Sequence, residues 1–121
     1  QAIQVKIELN MPLYSLFPLV SMLASDVAEA LVLSMRQVEI VGASTDSQDT
    51  DNSIVDMNLV PLGQEFDKIT ALLIYRKLWR HELDLNATLF GNYSVIHVLY
   101  PGNHKINVRV FPICSLFRVN T

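Results

Sequence analysis

A chain of 121 residues, half hydrophobic and 17% charged with a net charge of −3, is enough for one domain that buries roughly two thirds of its unfolded surface. It is too apolar to stay disordered, and its mild acidity excludes the clustered Lys and Arg of a nucleic-acid footprint. Its apolar runs, such as that around Leu31 to Leu33, are far too short for a membrane span.

The chain opens on a strict alternation, with Ile3, Val5, Ile7 and Leu9 on one face and Gln4, Lys6 and Glu8 on the other. A period of two predicts a half-buried strand, stopped by Asn10-Met11-Pro12. Ser15 is placed to cap a helix whose first turn tolerates Pro18. Leu16, Leu19, Val20, Leu23, Val27, Ala30 and Leu31 then recur at three and four, the stripe of a helix lying on a sheet and ending near Leu33. Gln37 to Val41 is a second strand, and Ser44 to Asn52 a polar, acidic loop. Three aspartates fall close together in that loop, but the calcium-loop spacing with its Gly and terminal Glu is missing. A third strand carries Val55, Met57 and Leu59 on one side, and the loop makes it the antiparallel partner of the second.

Pro61 and Gly63 end that strand. Phe66, Ile69, Leu72, Leu73 and Trp79 mark the inner side of a second helix, with Lys68, Arg76, Lys77 and Arg80 outside. The cluster Arg76-Lys77…Arg80-His81 sits at the helix C-terminal end, where cations complement the dipole. Leu83, Leu85, Ala87 and Leu89 alternate with polar residues and predict a fourth strand. Phe90-Gly91-Asn92-Tyr93 reads as a tight hairpin and Tyr93 to Tyr100 as a fifth strand, closed by Pro101-Gly102. The order β-α-β-β-α-β-β predicts an α+β domain, two helices on one face of an antiparallel sheet, of the ferredoxin-like or SEA-like kind.

No catalytic constellation is evident. His81, His97 and His104 fall on different elements, and no nucleophile elbow, phosphate loop, dinucleotide fingerprint or kinase signature occurs. No metal or cofactor site is expected. Cys114 is the one cysteine, which excludes an internal disulfide and reads as a small hydrophobe in an apolar tail. Two N-glycosylation sequons are present, Asn86-Ala87-Thr88 and Asn92-Tyr93-Ser94. The first is expected on the polar side of strand four and the second at the hairpin tip. The absence of a signal peptide, with Gln1 in first place, reads as a mature domain or a piece of a longer chain.

Four blocks carry a resemblance: Leu13-Tyr14-Ser15-Leu16-Phe17-Pro18-Leu19-Val20, Ser34-Met35-Arg36-Gln37-Val38, Val60-Pro61-Leu62-Gly63-Gln64-Glu65-Phe66-Asp67, and Leu89-Phe90-Gly91-Asn92-Tyr93-Ser94-Val95 running on to Tyr100-Pro101-Gly102. In this order and spacing, over residues 1–102, the chain resembles the N-terminal ectodomain of plant receptor-like kinases of the Abnormal Leaf Shape 2 type. The resemblance implies a module outside the plasma membrane, followed by a Pro/Ser-rich stretch, one span and a cytoplasmic serine/threonine kinase. It also implies signalling in epidermal differentiation. The expected partner is an extracellular peptide, protein ligand or co-receptor, engaged by the acidic loop or the open sheet face. Residues 103–121 depart from that plan, being either an extra strand (Ile106, Val108 and Val110 alternate) or an alternative C-terminus. The competing expectation is a stand-alone intracellular ferredoxin-like domain that binds a small molecule, forms part of an enzyme or drives oligomerisation.

Overall fold

The computed structural model describes residues 2–100; the expectations for Pro101-Gly102, His104, Cys114 and the tail 103–121 lie outside them. Strands β1 (Ile3–Leu9), β2 (Val38–Thr45), β3 (Ser53–Leu59) and β4 (Tyr93–Leu99) form one antiparallel sheet in the order β2-β3-β1-β4. The main helices are α2 (Val20–Leu31) and α3 (Lys68–Trp79), with single turns α1 (Leu13–Leu16) and α4 (Ala87–Phe90). Two β-α-β units interleave so that the first strand becomes a central one, the ferredoxin-like arrangement.

The alternation in β1 decides which face is covered. Ile3, Ile7 and Leu9 are wholly buried, and β3 supplies Val55, Met57 and Leu59 to the same layer. Across the ladder Ile7 stands opposite Val55 on one side and Val95 on the other. The helices cover this layer with Leu23, Val27, Ile74, Tyr75 and Leu78. The other face carries Gln4, Lys6, Glu8, Asp56 and Asn58 and meets solvent, as one face of an antiparallel sheet can. Both outer strands are irregular. β2 skips pairing at Val41, between Ile40 and Gly42, and β4 at Ile96, between Val95 and His97. Such bulges blunt a sheet edge.

The helical region before α2 differs from expectation. α1 begins after Pro12, Ser15 lies inside it, and the chain tightens into a 3-10 turn over Phe17–Leu19, with Pro18 in its first turn, before α2 starts. Pro18 brings no N–H to an α-helical ladder, which favours this break. α2 ends on a Schellman-type turn, Leu33 N–H donating to the Ala28 carbonyl at 2.8 Å, with Val32 in the left-handed region at φ 58°. That position favours glycine, and for a β-branched residue it is strained. Val32 is 83% exposed, so its side chain gains little burial in return. Val32→Gly is therefore expected to raise the unfolding free energy by about 0.5–1 kcal/mol, relief of left-handed strain exceeding the entropy of an added glycine. Chemical denaturation measures this directly, and a loss of stability would contradict it.

The predicted fourth strand, residues 83–89, is not formed. Leu83 and Leu85 are buried, which explains the alternation, but their segment joins no ladder. Side chains satisfy its amides instead: Leu83 N–H donates to the Tyr93 hydroxyl at 3.1 Å, and Asn86 N–H to the Asp26 carboxylate at 3.0 Å. Without that strand, 90–93 is no hairpin. Gly91, at φ 67° and ψ −148°, ends the turn α4 and leads into β4.

Candidate recognition surfaces

α3 is rotated from the expected phase. Ala71, Ile74, Tyr75 and Leu78 face the core, Ile69 is 71% exposed and Leu73 48%. Asp67 caps the helix, its carboxylate accepting from Thr70 N–H at 2.8 Å and from the Thr70 hydroxyl at 2.9 Å. These bonds hold the Asp67 carboxyl below the usual range. Apolar residues thus lie on more of α3 than the sheet covers, a mismatch the sequence periodicity already contained. Ile69 and Leu73 are one turn apart, and Arg76 continues their row.

Beside that row a groove of about 250 Å³ runs between the end of α2 and α3, lined by Leu31, Val32, Thr70, Leu73, Ile74 and Lys77. Lys77 spans it, its Nζ donating to the Ala30 carbonyl at 2.9 Å. A cation on a carbonyl of the last helical turn complements the dipole of α2. The basic cluster was expected to serve its own helix, so this crossing is a correction in part. No Asp or Glu occurs between Lys68 and Arg80, so a negatively charged chain presents here a positive, apolar-edged side.

The acidic loop is internally organised. Asp46 Oδ1 accepts from Gln48 N–H and Asp49 Oδ1 from Asp51 N–H, while Asn52 Nδ2 donates to Glu8 Oε2 at 2.8 Å. Hydrogen bonding to Asp46 raises Glu8 above the ordinary carboxylate range, and the same contact lowers Asp46. The sign follows for each: the raised Glu8 favours the folded loop at low pH, and the depressed Asp46 favours it above the ordinary aspartate range. Their joint support peaks between, in mild acid, and fades toward neutrality as both ionise. On the open sheet face Lys6 pairs with Asp56 at 3.7 Å, and a shallow hollow of about 380 Å³ reaches His97. Among the described residues that face carries no Phe, Tyr or Trp on which a base could stack.

The third hollow, about 430 Å³, is lined by His81, Leu83, Leu85, Ala87, Gly91, Asn92 and Tyr93. His81 stacks on Tyr93 with ring centroids 4.7 Å apart. Burial pushes the Tyr93 hydroxyl up, and that of Tyr75 up to about 12, so both stay protonated and neither serves as a base near neutrality. Asn86 and Asn92 stand in this segment, both exposed, though not on the strand and hairpin tip expected of them. Among the described residues no group of three or more His, Cys, Asp or Glu is placed to hold a metal ion. No helix among them is long and apolar enough to cross a membrane. A further exposed apolar patch, Tyr14 and Phe17, falls in the uncharged stretch from Asn10 to Ser25.

Residues 1–104 match the family described as the receptor-like PK ALE2 N-terminal domain. The receptor-like serine/threonine-protein kinase ALE2 of Arabidopsis thaliana is 43% identical over 99 residues, 82% of this chain. The chain spans 13% of that protein's length, and the kinase domain lies outside these 121 residues. No solved structure matches the chain. The chain belongs to the family of N-terminal domains of ALE2-type receptor-like protein kinases.

Proposed function

We propose that the chain is an extracellular binding module of a plant receptor-like kinase, sensing or docking a protein or peptide, and that the α3 side makes the contact. Ile69 and Leu73 exposed in one row beside the Val32 groove carry this reading, since a contiguous exposed apolar patch marks an interaction surface whereas scattered ones do not. The strain at Val32 supports it, because a left-handed β-branched residue with no burial in return is kept for something other than stability. Charge sets the partner's chemistry: a segment presenting apolar side chains next to carboxylates meets Lys68, Arg76 and Arg80. The open sheet face is the weaker candidate, its central lysine and aspartate being paired with each other.

The test uses the 121-residue chain, secreted from plant cells, as bait in extracellular fluid. Ile69→Ser/Leu73→Ser/Arg76→Glu is expected to lose a captured partner at least tenfold, about 1.4 kcal/mol or more. The open-face variant Lys6→Ser keeps it. Equal capture by both variants, each shown folded by circular dichroism, counts against the α3 side. Cytosolic location of the native protein counts against the extracellular reading.

A further inference from the structure

We infer that Asn86 is the glycan-bearing asparagine of this domain and that Asn92, although it opens an equally valid sequon, stays bare. The inference depends on the extracellular reading only for whether the modification occurs in the plant. The choice between the two sites rests on geometry. Asn86, Ala87 and Thr88 are all exposed and lie outside every strand. The Asn86 side chain is held by its oxygen, Oδ1 accepting from Thr88 N–H at 3.1 Å and Leu89 N–H at 3.3 Å. Those bonds leave the opposite end of the amide, Nδ2, directed away from the backbone that grips the oxygen. The hydroxyl two residues on, which the transferring enzyme must also reach, belongs to an exposed threonine.

Asn92 is exposed too, but its sequon is woven into the fold. Its carbonyl accepts from Asn10 N–H at 3.3 Å. Tyr93, the middle residue, is 9% exposed, with its ring against His81 and its hydroxyl bonded to Leu83 N–H. Ser94 is paired with Glu8 in the β1–β4 ladder. Once β4 has docked on β1, presenting this sequon to an enzyme means pulling Tyr93 out of its packing and opening the end of the ladder, which the first sequon does not require.

The transfer balances without a redox partner. Asn86 Nδ2 attacks the anomeric carbon of a lipid-linked diphosphate oligosaccharide, and the C–N bond forms as the C–O bond to the diphosphate breaks. The amide proton passes to a base of the transferase, and the lipid diphosphate leaves with the electron pair. A glycan there stands beside the hollow that Ala87 and Asn92 help to line, so this concavity is crowded by sugar and is not where a protein partner docks.

A secretory leader fused to the 121-residue chain in plant cells forces its entry into the secretory pathway, so the result is independent of where the natural protein goes. Intact mass is read before and after enzymatic release of N-glycans, in medium and in cell extract. Wild type is expected to lose the mass of one glycan. Thr88→Ala, which keeps Asn86 and the backbone N–H groups bonded to it, carries none, and Ser94→Ala matches wild type. A glycan that survives Thr88→Ala, two glycans per chain, or none on wild type overturns the inference. None of those outcomes bears on where the native protein resides.

Discussion

Tyr100→Ala is expected to lower the unfolding free energy by about 3–5 kcal/mol, the range for deleting a buried aromatic ring. Tyr100 is wholly buried where β4 ends, its ring edge-on to Phe66 with centroids 6.2 Å apart. Its hydroxyl accepts from Phe66 N–H at 3.0 Å and donates to the Phe66 carbonyl at 3.4 Å. The side chain therefore holds the approach to α3, one residue before the Asp67 cap, onto the last strand. Tyr100→Phe separates the two roles. It keeps the ring and leaves two buried backbone groups short of a partner, at about 1–3 kcal/mol. Urea denaturation of both variants checks this, and a loss below about 1 kcal/mol for alanine would contradict the packing described.

Ile7→Ala is expected to cost about 2–5 kcal/mol, whereas Lys6→Ala, its neighbour, changes stability by no more than about 0.5 kcal/mol. Ile7 is wholly buried on a central strand with Val55 and Val95 on either side. Removing its outer carbons leaves a cavity that a sheet hydrogen-bonded on both sides cannot close. Lys6 points to the open face, where its pair with Asp56 at 3.7 Å is half exposed and screened. The contrast between adjacent residues tests which face the helices cover. Equal losses at both would place a second layer on the open face.

Much of this architecture was legible in the residues. The alternation of 3–9 and 53–59 gave two strands and their buried faces, and the acidic stretch between β2 and β3 marked the antiparallel turn. Failure came where alternation meant something else. Leu83 and Leu85 alternate because an extended chain buries every second residue, and periodicity cannot report whether its amides find a ladder or, as here, Tyr93 and Asp26. The exposed apolar row on α3 was missed for a related reason. Ile69, Leu72 and Leu73 were expected inward because they are apolar, but α3 carries more apolar residues than one face can bury, and Ala71 and Tyr75 fix the phase. The signal was available in Leu72-Leu73-Ile74-Tyr75, four apolar residues in a row, which must place at least one outside. The strain at Val32 had no such signal, since a left-handed turn at valine is set by how α2 meets the sheet.

The sheet order also constrains how the chain is made. Of the four described strands β1 is made first, yet its partners are residues 53–59 and 93–99. At translation rates of about 5–20 residues per second, a strand of alternating isoleucine, valine and leucine waits roughly 5–20 s for its second neighbour. No local hairpin shelters it meanwhile, because its partners lie far along the chain and long-range closure is slow. This domain is thus synthesised with an apolar strand unpaired until β4 follows it, a segment open meanwhile to any chaperone that meets an emerging chain. Substitutions that delay β4 would be felt as lost yield before they are felt as lost stability.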